Sequence, residues 1–208
     1  IGPEAQRDNM QSAAYRVIWG FLRKCPASKV RFCIFDPKEG GGSVRMLSNF
    51  VNKMPDSYKK AVTQMSRTEE LLSCLKELEG QTLDFIRDRP DYDDLLDYNA
   101  HNPRRTEAIT LLMLYDFPLN ADARCLELLS SVMQKGNKCG IYVILCRNTA
   151  VEVASSYDHV DEKLAELEKN CVQIECKENG FALLPYHLSV RLIEKPDAGQ
   201  LEKFAVEY

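Results

Sequence analysis

Three short runs, Val30 to Phe35, Ala108 to Tyr115 and Gly140 to Cys146, are apolar at nearly every position and are separated by stretches of helical periodicity. A strand that is apolar on both sides of its pleat has to be covered on both faces. Alternation of such strands with helices predicts a mostly parallel sheet with helices on both faces, an α/β fold. Ala13, Ala14, Val17, Ile18, Phe21 and Leu22 recur at helical spacing and predict a helix over 8–24, which Pro26 ends. A second helix starts at Thr68-Glu69-Glu70-Leu71, carries Leu71, Leu72, Leu75, Leu78, Leu83 and Ile86, and runs up to Pro90. Further helices are predicted over 122–135 and 156–169, with a weak one over 44–53 and a closing one after Pro196. A short strand is predicted over 60–64, and the acidic stretch Asp88 to Asp97 reads as loop or short helix. Near the end, strands over 171–176 and 181–184 flank Glu178-Asn179-Gly180, which predicts an antiparallel hairpin, and another strand is predicted over 188–193.

Parallel strands joined by right-handed crossovers release their carboxyl ends along one edge, where open α/β sheets bind ligands. The polar residues leaving the three strands are Asp36 and Lys38, then Asp116, then Arg147 and Asn148. They are predicted to converge.

The start of the chain stands where a phosphate-binding loop belongs. That loop needs Gly, four residues, then Gly-Lys-Ser/Thr leading into a helix. Here Gly2 opens the pattern and a helix follows, but Arg7 replaces the second glycine, Asp8 the lysine and Asn9 the hydroxyl residue. No Gly-Lys-Ser or Gly-Lys-Thr occurs elsewhere. Exchanging lysine for aspartate swings two unit charges, each worth ~4 kcal/mol at about 4 Å and an effective dielectric near 20. Rotation of Asp8 and solvent screening reduce that sum, yet even ~3 kcal/mol is more than a hundredfold in affinity. Tight ATP binding is not expected. Asp8 also suits a second role, as an acid stabilising the first turn of the helix.

Three segments together resemble the FtsK/SpoIIIE DNA-translocase family, RecA-like P-loop ATPases that include the motors of type VII secretion. Val30-Arg-Phe-Cys-Ile-Phe-Asp-Pro-Lys38 is similar to that family's strand ending in Asp-Pro-Lys. Leu111-Leu-Met-Leu-Tyr-Asp-Phe-Pro118 is similar to its acidic strand end, apolar-Asp-Glu-Phe. Lys135-Gly-Asn-Lys-Cys-Gly-Ile-Tyr-Val-Ile-Leu-Cys-Arg-Asn148 resembles its Arg-x-x-Gly-Ile-His strand, which ends in a sensor glutamine. Order and spacing agree over residues 2–148. The resemblance implies a RecA-like P-loop NTPase fold in one domain spanning 1–208, with the antiparallel hairpin at its C-terminal end. It also implies departures at the site. Tyr115 sits where the metal-holding aspartate would be, Asp116 where the catalytic glutamate would be, and Asn148 replaces the glutamine.

On this resemblance the chain is expected to be a degenerate ATPase domain with a structural or regulatory role in a DNA-translocase or secretion-type assembly, working with sister ATPase domains or subunits. Asp116 is then a vestigial catalytic residue, and Gly2, Arg7, Asp8, Asn9, Asp36, Lys38, Tyr115 and Asn148 a vestigial nucleotide site. ATP and magnesium bind only if the family activity is retained. The alternatives are an ATP-driven DNA motor and a protein-binding module on the same fold. Asp36 and Lys38 equally suit a subunit contact or ordinary turn chemistry, and Lys135 and Lys138 fall where the family carries arginines that act across subunits. Gly40-Gly41-Gly42-Ser43 could cradle an anion with its amides. In the family a central strand precedes the loop. The first residue here is not methionine, so the chain is expected to be a fragment cut through that strand, unless another segment fills its slot.

Composition sets the remaining bounds. The 208 residues carry a net charge of −4, which argues against a domain that holds DNA by bulk electrostatics and leaves DNA contact through a few lysines open. No apolar run is long enough to span a bilayer and no signal peptide is visible, so a cytoplasmic protein with no membrane insertion is expected. The eight cysteines form no Cys-x-x-Cys pair and the three histidines are scattered, so no metal site is expected and the thiols read as buried and free.

Overall fold

A computed structural model describes residues 1–3, 5, 7–38, 52, 56–152, 160–178, 180–183, 186 and 188–191. Apart from residue 52, the expected helix over 44–53 lies outside these residues, as do the one after Pro196, the Gly40–Ser43 loop, the first turn of the 156–169 helix and Asn179.

Four strands, β1 (Val30–Phe35), β2 (Val62–Met65), β3 (Ile109–Phe117) and β4 (Ile141–Arg147), form one sheet in the order β2-β1-β3-β4. All three pairings are parallel. Three further strands, β5 (Ile174–Lys177), β6 (Gly180–Leu183) and β7 (Leu188–Arg191), form an antiparallel sheet in sequential order. Lys177 faces Gly180 across the β5–β6 turn, so the expected hairpin is present with a third strand added to it.

Alternation along the strands divides the core in two. Val30, Phe32 and Ile34 of β1, with Leu111, Met113 and Tyr115 of β3, point at helix α1 (Arg7–Lys24), which meets them with Ala14, Ile18 and Leu22. Phe35, Leu112 and Leu114 point the other way, onto α2 (Thr68–Asp88) and α4 (Ala123–Lys135). α5 (Val160–Lys169) packs Leu164 and Leu167 onto the same cluster. Helices therefore cover both faces, as the apolar runs require. β3 is buried along all but its first residue, as befits a strand paired on both edges.

The helix starts follow from local chemistry. Asp122 caps α4 by accepting the N–H of Cys125 at 2.8 Å. Asp94 caps the short helix α3 (Leu95–His101) through the N–H of Asp97 at 2.9 Å. The acidic 88–97 stretch thus ends in a helix, and Arg89 turns back over the Tyr98 ring, 4.2 Å from its centre.

At the start of α2, Glu70 accepts the backbone N–H of Ser66 at 2.9 Å and of Arg67 at 3.2 Å, and pairs with the Arg67 guanidinium. The Ser66 N–H above all, then the Arg67 guanidinium, holds this carboxylate well below its usual range, at about 2. A depressed carboxylate stabilises the fold above its ordinary titration range and loses that contribution as pH falls through the folded value. The stability difference between wild type and Glu70→Gln is therefore expected to be full at neutral pH and to vanish between the ordinary glutamate range and about pH 2. Urea unfolding across that range measures it, and a pH-independent difference would contradict the assignment.

Candidate functional site

The carboxyl ends of β1, β3 and β4 bring the expected polar residues together. β1 runs one residue past Phe35: the N–H of Asp36 donates to Met65 O of β2 at 2.9 Å. The Asp36 carboxylate then accepts the N–H of Lys38 at 3.1 Å, closing an Asx turn at Pro37. Asp36 is buried, and its turn sends the Lys38 side chain sideways to the end of β3, where its ammonium lies 3.5 Å from Asp116 Oδ1.

Asp116 owes its placement to an irregularity. Pairing between β3 and β4 shifts register between Leu114 and Phe117, and Asp116 adopts a positive φ of 50° inside the gap. Aspartate tolerates that left-handed conformation better than most residues, because its side chain is short and polar. The Asp116 carbonyl accepts the N–H of Leu119 at 2.9 Å, and a cis Phe117–Pro118 bond follows. The strand runs two residues past the apolar run, since pairing resumes at Phe117 opposite Arg147 after the irregularity at Asp116.

Asn148 closes the cluster from β4. It is fully buried, its Nδ2 donates to Asp116 Oδ1 at 3.1 Å, and its Oδ1 accepts the N–H of Ala150 at 3.1 Å. Gly2 pairs with it as an isolated parallel bridge, with Gly2 N–H to Arg147 O at 3.1 Å and Thr149 N–H to Gly2 O at 3.0 Å. Gly2, Asp36, Lys38, Asp116 and Asn148 thus share one rim. Arg7, Asp8 and Asn9 open α1 directly behind Gly2, and Asn9 is half-buried. Tyr115, by contrast, faces the α1 side of the core, packed among Ile18, Phe32 and Met113 rather than at the rim. Lys135 and Lys138 are exposed at the opposite end of β4, its seven residues away, or roughly 20 Å.

Arg147 plays a part that its sequence context does not advertise. Its guanidinium bonds Glu168 of α5 at 2.7 Å and the carbonyls of Val151 at 3.1 Å and Asn148. It clamps the turn after β4 onto the last turn of α5. Cys146, just before it, is buried against the rim. Its thiol is pushed up to about 12, first by burial and then by the nearby Asp116 and Asp36 charges, so it stays protonated at neutral pH. Among the described residues no group of three or more His, Cys, Asp or Glu could hold a metal ion, and no helix is long and apolar enough to cross a membrane.

Chemically, among the described residues the rim sets the buried carboxylates of Asp36 and Asp116 beside the partly exposed ammonium of Lys38. Asp116 spends one oxygen on both Lys38 and Asn148.

No protein-family model matches the sequence, and no curated protein matches it either. Solved structures do match in fold. The cytoplasmic domain of EssC matches over 95% of this chain and 41% of its own, with TM-score 0.58 and 14% identity. The cytoplasmic domain of the type VII secretion ATPase EccC from Thermomonospora curvata matches over 84% of this chain and 20% of its own, with TM-score 0.58 and 14% identity. The pCW3 conjugation coupling protein TcpA, solved with ATPγS, matches over 69% and 40%, with TM-score 0.51 and 12% identity. The chain therefore has the RecA-like ATPase-domain fold that its resemblance to the FtsK/SpoIIIE family implied, and it spans between a fifth and two fifths of these neighbours.

Proposed function

We propose that the chain is a degenerate FtsK/SpoIIIE-type ATPase domain with a structural or regulatory role in a DNA-translocase or secretion-type assembly, hydrolysing little or no ATP. One observation supports this reading above the rest: the Asp116 carboxylate, at the position of the family's catalytic acid, is tied to Lys38 and Asn148 of its own chain. A magnesium-bound triphosphate suits this rim poorly. The loop behind Gly2 offers Asp8 in place of a lysine, and Asn9 in place of the hydroxyl that would hold the metal. Lys38, the ammonium at the rim, already faces Asp116.

A domain of this kind acts by packing against sister ATPase domains. The neighbours support that role, since this chain corresponds to a minor part of each of them.

Calorimetric titration with ATP and magnesium tests the reading. The expected result is no binding heat up to roughly millimolar nucleotide, where an intact phosphate loop would be saturated. Turnover above the buffer rate that disappears in Asp116→Asn would overturn it and favour the motor.

A further inference from the structure

Two of the eight free cysteines meet between the sheet and a helix. Cys33 lies on the same side of β1 as Phe35 and faces α2, where Cys74 stands beside the buried Leu71, Leu75 and Leu78. Both are half-buried, and both line a groove of about 560 Å³ bounded by β1, β2 and α2. Their thiols are in hydrogen-bond contact, with the Cys74 S–H donating to the Cys33 sulfur. Other thiols are placed differently. Cys139 contacts Thr82 Oγ1 at 3.2 Å, Cys171 donates to Leu167 O at 3.3 Å, and Cys125, Cys146 and Cys176 are buried.

That contact makes the two sulfurs unequal. The hydrogen bond from Cys74 holds the Cys33 thiol below its ordinary range, in spite of burial and the Glu77 charge. The same bond, followed by burial, pushes the Cys74 thiol up. Cys33 is therefore the sulfur that ionises first and the better placed nucleophile, with Cys74 beside it to resolve a mixed disulfide. The groove supplies charge as well. Arg31 and Lys60 are exposed on its sheet side and Glu77 on its helix side. Two cations and one nearby carboxylate suit a small zwitterion in which carboxylates outnumber ammonium groups.

We propose that Cys33 and Cys74 form a dithiol site for thiol–disulfide exchange, and that the groove takes small carboxylate-rich disulfides of the glutathione class. The Cys33 thiolate attacks one sulfur of the incoming disulfide, whose S–S bond breaks and whose other half leaves as a thiolate. The Cys74 thiolate then attacks the Cys33 sulfur of the mixed disulfide and expels the second half. The two protons lost by the cysteines pass to the two leaving thiolates. Two protein thiols are oxidised to one disulfide, and one small disulfide is reduced to two thiols. Closing the bond draws the sulfurs from hydrogen-bond contact to about 2 Å and ties β1 to α2.

The test treats the folded chain with glutathione disulfide at neutral pH and follows thiol loss and peptide masses. The expected result is the loss of two thiols and a peptide joining Cys33 to Cys74. Cys74→Ser is expected to stop at a glutathione adduct on Cys33, and Cys33→Ser to react about tenfold more slowly than Cys74→Ser. Cystamine, a disulfide carrying ammonium groups in place of carboxylates, tests the class of ligand. The ratio of the glutathione disulfide rate to the cystamine rate is expected to fall roughly tenfold in the double variant Arg31→Ala, Lys60→Ala. Disulfides joining other cysteines would overturn the proposal, as would reaction seen only after the chain is unfolded in urea. Equal rates for the two serine variants would remove Cys33 as the nucleophile, and an unchanged ratio would remove the charged groove as the selector.

Discussion

Asp116→Val is expected to destabilise the chain by about 4 kcal/mol, while Asp116→Asn costs about 1 kcal/mol. Two separate terms make up the valine loss. Asp116 holds a φ of 50°, and a β-branched residue forced into that region costs ~1–3 kcal/mol. Valine also leaves the fully buried Asn148 amide without the carboxylate oxygen it bonds at 3.1 Å, a desolvation loss of ~1–3 kcal/mol. Asparagine keeps the left-handed conformation accessible and keeps an oxygen for Asn148. It gives up the charge opposite Lys38, whose side chain is 35% exposed, so solvent screens most of that pair. Denaturant midpoints at unchanged slope measure the three proteins. Against a total stability of roughly 5–15 kcal/mol the valine loss is large. Valine tolerated as well as asparagine would show that Asp116 does not hold this rim together.

That rim was legible in the sequence because parallel strands discharge at one edge, so Asp36, Lys38, Asp116 and Asn148 could be brought together from strand ends alone. The two faces of β1 and β3 were legible for the same reason, as each apolar run had to be covered twice. What escaped was everything decided by a single backbone irregularity or by distant partners. The register shift before Phe117 carries no hydrophobic signal, so the left-handed turn at Asp116 could not be read; Tyr115, assigned a site position only by the family resemblance, packs in the core as the apolar run around it requires. Arg147 reads as a polar strand end, and only the return of α5 supplies Glu168 to it. The two residues Ile1 and Gly2 are too few to show any period, yet they bridge the sheets. In the acidic stretch after Pro90 charge masked aromatic packing, for Tyr92 and Tyr98 meet edge to face at 5.2 Å.

The same stretch positions the start of β4, which leads to the second large effect. Gly140 turns the chain into that strand at φ +74°, with its carbonyl accepting the Thr110 N–H at 2.9 Å. A Cβ built there would lie 2.3 Å from Leu95 Cδ2 and 3.4 Å from Ile109 Cγ2. Gly140→Ala therefore incurs both the left-handed penalty of ~1–2 kcal/mol and an overpacking cost of ~1–3 kcal/mol, about 3 kcal/mol together. Leu95 is buried, and Leu95→Ala alone is expected to cost ~2–5 kcal/mol through the cavity it leaves. The two substitutions should not add, because the alanine at 140 occupies space that the shortened residue 95 vacates. The double variant is expected to be more stable than the sum of the single losses predicts, by ~1–3 kcal/mol in a double-mutant cycle. Additive losses would mean that Leu95 moves aside freely, and that the Gly140 cost is backbone strain alone. Coupling would instead show that the Leu95 side chain of α3 limits the space at Gly140, where the chain enters β4.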